Sequence, residues 1–155
     1  MKEIQAPNDI TKVALSNSPT IFLAGGITDC IDWQTQVITM LRPYDVIVFN
    51  PRRANFPIHN PNAAREQIEW EFKAIANADI FSMWFEGGQS DQPICMYEYG
   101  RNLALNPNRI VVGANPNYKR AKDVYIQTEL ACKGIKISNS LEEHVKMILK
   151  KLNQK

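Results

Sequence analysis

The sequence predicts an α/β domain built on a parallel sheet. Short apolar runs of strand length alternate along the chain with segments of helical length. Continuous apolar strands separated by helices are typical of a parallel sheet that helices cover on both faces. The helical segments between the runs also have recognisable ends, which supports the same alternation.

Five runs are predicted to be strands: Thr20 to Ala24, Val46 to Phe49, Ile80 to Phe85, Arg109 to Gly113 and Gly134 to Ile137. Right-handed crossovers between consecutive parallel strands favour a doubly wound sheet. The predicted fold is therefore flavodoxin-like, with five parallel strands in three α/β/α layers.

Helical spacing and capping residues predict the helices between these strands. Ile31 to Leu41 has apolar residues at helical spacing, and Asn60 before Pro61 predicts the start of the next helix. Its apolar stripe is predicted to face the core; the stripe comprises Ile68, Phe72 and Ile75. A further helix begins near Ile94 and ends at Asn106, and a capping box at Ser140 to Glu143 opens the last helix.

The first 19 residues lack this alternation. They contain two prolines and only a few apolar residues, among them Ile4, Val13 and Leu15. We expect residues 1–19 to form an extended arm that lies on a single domain of residues 20–155, because 155 residues suit one domain.

Composition and charge argue against several classes of function. The formal charge of +2 is too small to indicate a nucleic-acid surface, and no apolar run is long enough to cross a bilayer. We see no signal peptide, so we expect a cytoplasmic protein without nucleic-acid or membrane partners. Cys30, Cys95 and Cys132 form no CxxC pair and lie far in sequence from His59 and His144, so we expect reduced thiols and no metal.

In doubly wound sheets, ligands bind outside the carboxyl ends of the strands. The segments at that edge are 25–32, 50–61, 86–98 and 113–120. Asp79 precedes a strand, which places it at the opposite edge in a structural role.

Gly25 and Gly26 follow the first strand, where they either let the backbone approach a ligand or simply form a tight turn. The chain lacks both G-x-G-x-x-G and a P-loop lysine, so we expect no NAD, ATP or other cofactor.

Charged side chains near this edge are the candidates for chemistry. Arg52 and Arg53 leave the second strand and either hold a phosphate or carboxylate, or pair with carboxylates of the 66–71 helix. Glu71 borders the apolar stripe and is either a half-buried proton donor or a surface glutamate. Glu98 falls about one turn into a helix, where the helix dipole would keep it ionised as a nucleophile or electrostatic stabiliser.

Cys95 is a rival nucleophile, although the sequence offers it only His59 as a partner at this edge. Trp33 and Trp70 either belong to the core or flank an aromatic substrate, and core is the commoner place for a single tryptophan.

Several of these segments together resemble one family. They are Ile21 to Gly25, Asn50 to Arg53, Gln67 to Glu71, Ala78-Asp79 and Pro93 to Gly100, with Ala6 to Asn8 at the start. In order and spacing they are similar to the nucleoside 2-deoxyribosyltransferase-like superfamily, most of all to its bacterial, phage and fungal branch. The resemblance implies a flavodoxin-like fold and cleavage of an N-glycosidic bond.

The resemblance also implies roles for particular residues. Glu98, in Glu98-Tyr99-Gly100, matches the nucleophile, and Glu71 matches the acid near the leaving base, where the transferases typically have aspartate. Asp91 is the nearest candidate for an acid on the loop before the nucleophile. The transferases place a tyrosine near the start of the first strand, and this chain has Ile21-Phe22 there, so Tyr97 or Tyr99 is expected to hydrogen-bond the nucleophile instead.

The expected ligand is a small nucleoside or nucleotide. Gly25, Gly26, Asn50, Arg52, Tyr97 and Asn115 are the expected substrate-binding residues. Because the family's transferases borrow residues from a neighbouring subunit, a homo-oligomer is also expected. Three outcomes stay open: transfer of the sugar to a second base, hydrolysis of a 5′-monophosphate held by an arginine, and a non-catalytic nucleotide-binding module.

Overall fold

A computed structural model describes residues 1–11, 13 and 16–154 of the chain. At its centre is a sheet of six parallel strands in the order β1-β3-β2-β4-β5-β6. The strands are β1 (Lys2–Gln5), β2 (Thr20–Gly25), β3 (Ile47–Asn50), β4 (Ile80–Phe85), β5 (Ile110–Ala114) and β6 (Ile137–Ser138). Without β1, the order of the remaining five is that of the flavodoxin-like fold, so the predicted fold class is confirmed.

Helices cover both faces of this sheet. They are α1 (Trp33–Leu41), α2 (Ala63–Asn77), α3 (Pro93–Leu105), α4 (Ala121–Ala131) and α5 (Leu141–Leu152). Side chains of α1 and α5 pack on one face, where Trp33, Leu41 and Ile148 are buried. Side chains of α2, α3 and α4 pack on the other face. The three-layer arrangement follows from these two separate cores.

The sixth strand is a departure from the predicted count. Lys2–Gln5 pairs in parallel with Ile47–Asn50 at the edge of the sheet, inside the segment that we expected to be an extended arm. Its sequence, Lys-Glu-Ile-Gln, contains one apolar residue, and of its side chains only that of Ile4 is buried. A four-residue edge strand of this kind has no continuous apolar run by which to recognise it. Val13 is also buried, whereas Leu15 lies outside the described residues.

Helix α2 turns a different face to the core from the one predicted. Ile75 is buried, but Ile68 and Phe72 are 64% and 55% exposed. The buried face is built on Trp70 and Ala74, since the Trp70 ring packs near Phe22 and Phe49. An indole buries more apolar surface than the predicted side chains, and its Nε1 also donates to the carbonyl oxygen of Asn8 at 2.7 Å.

The helix ends agree closely with the sequence in most cases. Asp32 caps α1 by accepting from the Thr35 amide, and Ser140 caps α5 by accepting from the Glu143 amide. Helix α2 begins at Ala63 rather than next to Pro61, because Asn60 Oδ1 accepts from the Asn62 amide in a preceding turn.

Asp79 lies at the amino end of β4, as expected, where its carboxylate accepts from the amide and hydroxyl of Thr20. This contact joins the starts of two neighbouring strands. Among the described residues, no helix combines the length and apolar character needed to cross a membrane.

Candidate active site

A pocket of about 220 Å³ opens at the carboxyl ends of β2 and β4. Successive crossovers leave this pair of strands in opposite directions, and such a switch point is where doubly wound sheets bind ligands. The lining residues come from the end of β2 and its following turn, the residue after β3, α2, the loop before α3 and the start of α3. They are Phe22, Ala24, Gly25, Gly26, Ile27, Thr28, Pro51, Glu71, Ser90, Gln92, Pro93, Ile94, Cys95 and Glu98.

A larger depression, of about 420 Å³, lies between the N-terminal segment and α2. Its ionisable groups include Arg65 and Glu69, which are exposed and paired with each other at 2.7 Å. Water screens the charges of such an exposed pair, so its two side chains are poor candidates for catalysis. The smaller pocket is the better candidate because it contains Glu71 and Glu98.

The packing of two helices brings these carboxyl groups together. Burial of Trp70 and Ala74 sets the rotation of α2, which leaves Glu71 half-buried at the edge of the sheet. Burial of Cys95 and Tyr99 sets the rotation of α3, which turns Glu98 into the pocket. Two acids from different elements therefore line one cavity.

Their surroundings raise the pKa of both groups. Burial, followed by the charge of Glu71, raises the pKa of Glu98 to about 8, and the guanidinium of Arg101 opposes this shift. Burial also raises the pKa of Glu71, although a hydrogen bond from Gln67 opposes it. Burial thus opposes the ionisation of Glu98 that we expected the helix dipole to favour, and a dipole contributes at most about 2 kcal/mol.

A coupled pair of this type holds a proton more tightly than either acid would alone. Near neutral pH one member can carry the proton while the other carries the charge. That combination supplies a proton donor and an anionic nucleophile within the same cavity.

Cys95 also lines the pocket, but its thiol is a poor nucleophile. Burial, with the charge of Glu98 as the next cause, raises the pKa of Cys95 to about 12. The thiol is therefore protonated near neutral pH, and the thiolate is the reactive form. His59 lies exposed on its loop.

Gly25 and Gly26 form one wall of the pocket as bare backbone. A Cβ atom on Gly25 would overlap the Trp84 carbonyl oxygen and the Trp33 indole. A Cβ atom on Gly26 would lie 2.7 Å from Gln92 Oε1. The Trp33 Nε1 donates to the Gly26 carbonyl oxygen at 3.0 Å, so this tryptophan supports the turn from within the core.

Gln92, which packs against Gly26, and Glu86 hold the loop beside this wall, and sequence reasoning assigned neither of them a role. The Gln92 amide donates to the Glu86 carbonyl oxygen at 2.6 Å and accepts from the Glu86 amide at 3.2 Å. The carboxylate of Glu86 accepts from Trp84 Nε1, the Gly87 amide and Asn115 Nδ2. These buried bonds fix the loop that leads into α3. Neither Gln92 nor Glu86 belongs to a periodic pattern by which sequence analysis could have identified it.

Four of the six predicted substrate-binding residues lie outside the pocket lining, namely Asn50, Arg52, Asn115 and Tyr97. Arg52 donates to the carbonyl oxygens of residues 27, 30 and 31 and to Gln34 Oε1. Asn50 bonds Glu3 and the Arg52 amide, and Asn115 bonds Glu86 and the Asn117 amide. The side chains of Asn50, Arg52 and Asn115 each support loops around the pocket in this structure.

The predicted loop acid and tyrosines are also elsewhere. Asp91 is exposed and pairs with Lys119 at 3.0 Å and Arg120 at 3.3 Å, and the bond to Lys119 lowers its pKa. Tyr97 is 68% exposed, and the Tyr99 hydroxyl bonds Thr128 Oγ1 at 2.7 Å inside the core. In the part of the chain that the structure describes, no hydrogen bond from a tyrosine reaches Glu98.

Sequence analysis missed the remaining lining residues. Alternation along a strand indicates which residues share a face of the sheet, but not which of them border a cavity. Phe22 and Ala24 line the pocket although they belong to a buried strand, and Thr28 and Ser90 contribute hydroxyl groups from loops.

Trp33 and Trp70 are core residues. Within the described ranges, no three His, Cys, Asp or Glu side chains are grouped to hold a metal ion.

Comparison with known proteins gives this pocket a family context. No curated protein sequence matches the chain. The model of the family described as "Nucleoside 2-deoxyribosyltransferase like" matches residues 18–118, which is 101 of the 155 residues. The match includes both strands at the switch point and both pocket glutamates. The chain therefore belongs to the nucleoside 2-deoxyribosyltransferase-like family.

Proposed function

We propose that this protein is an enzyme that cleaves the N-glycosidic bond of a nucleoside or nucleotide, with Glu98 as the nucleophile and Glu71 as the acid. One observation carries the proposal: two half-buried carboxyl groups from different helices line a single pocket at the switch point of the sheet. Membership of a family of nucleoside-modifying enzymes supports the same chemistry.

In the first step, a carboxylate oxygen of Glu98 attacks C1′ of the sugar. The bond between C1′ and the base nitrogen breaks, its electron pair stays on the base, and the proton of Glu71 passes to the base. The product is a glycosyl ester of Glu98, reached through an oxocarbenium-like state as in retaining glycosidases.

In the second step, a second base or a water molecule attacks C1′ and releases Glu98. The Glu71 carboxylate takes the proton that the attacking group loses, which restores the pair to its starting state. Arg101 favours the ionised form of Glu98, which is the form that attacks C1′ in the first step.

The surroundings of the pocket support a nucleoside over its 5′-monophosphate. No lysine or arginine is among the described residues that line the pocket. Arg52 is occupied by backbone carbonyl oxygens, and Arg53 pairs with Glu66 at 2.9 Å. A phosphate would add charge near two acids without a cationic side chain to balance it.

We further propose that the working form is a homo-oligomer. Ile68 and Phe72 on α2, with Ile94 and Tyr97 on α3, are exposed on the two helices that carry the pocket acids. The pocket of about 220 Å³ is smaller than the roughly 300–1,000 Å³ of ordinary ligand sites. A second copy on this face would bury apolar surface and extend the pocket walls.

The decisive experiment is incubation of the protein with a panel of nucleosides and 5′-monophosphates, followed by chromatography for free base. Free base without an acceptor indicates a hydrolase, and exchange that needs an acceptor base indicates a transferase. Saturable binding without turnover would contradict catalysis and indicate a binding module. Full base release by Glu98→Ala would overturn the assigned nucleophile, and Glu69→Gln on the exposed side of α2 is the matched control.

A further inference from the structure

Gln67 stands one helical turn before Glu71 on α2, and both hydrogens of its amide nitrogen are in use. Gln67 Nε2 donates to the Pro51 carbonyl oxygen at 2.8 Å and to Glu71 Oε1 at 2.9 Å. Pro51 is buried and lines the pocket just after β3. The amide therefore links the acid to the end of a strand.

The orientation of this amide is determined by its surroundings. Gln67 Oε1 is buried and has no hydrogen-bond partner among the described residues. A buried acceptor without a partner destabilises the fold, so an amide normally turns to avoid it. Here the turned amide would place its oxygen against the Pro51 carbonyl oxygen, and two acceptors would face each other. The Pro51 contact thus forces the nitrogen toward Glu71.

A fixed donor has a direct consequence for the acid. Glu71 Oε1 accepts the amide hydrogen, so it cannot at the same time offer a proton along that direction. The proton of the neutral acid then resides on the other oxygen, Oε2. We propose that Gln67 is a positioning residue that fixes which oxygen of Glu71 delivers the proton to the departing base. This inference rests on the proposed function of Glu71.

The groups around Glu71 give the expected direction of the pH effect. Glu98 and the Cys95 thiol line the same pocket from α3, Gln67 bonds Glu71 from its own helix, and Arg101 acts on Glu98. The amide bond favours the ionised form of Glu71, and its removal therefore favours the protonated form. Loss of Gln67 should shift the ionisation of Glu71 to higher pH.

The test compares Gln67→Met, which keeps the length of the side chain, with Gln36→Met at an exposed position of α1. We expect Gln67→Met to lower kcat about tenfold, a part of the 10²–10⁴ that a positioned acid contributes, with KM changed less than about twofold. The high-pH limb of the kcat profile should move upward. Gln36→Met should change neither quantity. Gln67→Asn, which is too short to bridge both acceptors, should behave like Gln67→Met and keeps the test valid if one variant folds poorly.

A second measurement does not require turnover. In protein labelled with ¹³C at the glutamate carboxyl carbons, the Glu71 signal is assigned by its loss in Glu71→Gln. Its titration midpoint should rise in Gln67→Met. An unchanged midpoint, or an unchanged kcat profile, would overturn the positioning role. Full activity in Glu71→Gln would instead overturn the proposed function, while the titration still reports on the contact itself.

Discussion

The charge of Glu71 on helix α2 helps to raise the pKa of Glu98 on helix α3 to about 8. The two acids thus control each other's ionisation across the pocket. One proton on the pair gives a donor and a nucleophile, whereas two protons or none remove one of those roles. The consequences can be measured in both activity and stability.

The pH dependence of base release should be bell-shaped. Activity should fall at high pH, around and above pH 8, as the pair loses its last proton and no acid assists the base. It should also fall in acid, where both carboxyl groups are protonated and no nucleophile is available. Measurement of kcat/KM from pH 4 to pH 10 tests this, and activity that rises steadily through pH 10 would contradict it.

Arg101 should influence the position of that profile. Its guanidinium lies 4.7 Å from the Phe72 ring centroid and favours the charged form of Glu98. In Arg101→Met the ionisation of the pair becomes harder, so the whole profile should move to higher pH. Arg101→Lys keeps the positive charge and should shift the profile less. Identical profiles for Met and Lys at this position would show that charge is not the cause.

Replacement of Glu98 should stabilise the folded protein at alkaline pH. In the folded state the Glu71–Glu98 pair retains its last proton up to about pH 8, whereas a glutamate of the unfolded chain loses its proton near 4.5, so the wild-type protein loses stability as pH rises between these values. Glu98→Gln removes the coupling between the two acids and most of this loss. Its Tm should exceed that of the wild type increasingly from pH 5 to pH 8, by about 2–4 °C per kcal/mol. Glu69→Gln is the control, and a Tm difference that is constant with pH would argue against a buried acid.

The fold could be predicted from the sequence because its signals are local and repeated. Runs such as Ile80–Phe85 are largely apolar on both faces, and Ser140 has a side chain that caps a helix. The edge strand containing Ile4 could not be predicted, since one buried side chain gives no pattern. We predicted the wrong face of α2 because helical periodicity does not tell which of two possible apolar stripes faces the core. The stripe that contains Trp70 provides the larger buried surface.

The candidate site was predictable only in part. Glu98 and the two glycines lie in segments that follow strands, where topology alone directs attention, whereas Glu71 on α2 was singled out by the family resemblance. The roles of Gln67 and Gln92 depend on contacts with backbone atoms that are distant in sequence or on a left-handed conformation, with φ 49° at Gln92. A residue type and its spacing carry no information about such contacts.

The exposed apolar face of α2 and α3 should mediate self-association. Phe72→Glu would place a charge on this face, one helical turn from Ile68, and should shift the protein toward monomer. Sedimentation velocity at several protein concentrations measures the shift. Leu130→Glu changes a residue of α4 that is 77% exposed and should leave the oligomer intact. A wild-type protein that is monomeric at all concentrations would contradict the proposal.

The buried His144 should make the fold sensitive to acid. Its ring is fully buried, with Nε2 bonded to Ser82 Oγ at 2.8 Å and Nδ1 to Ser138 Oγ at 2.9 Å. Burial lowers its pKa from 6.5 to about 3, so in this range the unfolded chain takes up a proton that the folded protein does not accept. The contribution to stability is complete above pH 6.5 and is lost as pH falls toward 3.

In His144→Gln this loss should disappear. The variant should be less stable at pH 7, by about 1–3 kcal/mol for the disturbed hydrogen bonds. Its free energy of unfolding should then fall less steeply in acid, by up to about 1.4 kcal/mol per pH unit between pH 6 and pH 4. Urea titrations at each pH measure this, with exposed His59→Gln as the control. Because the carboxyl groups are the same in both proteins, their titration cancels in the difference, and parallel curves would show that His144 is protonated in the folded state.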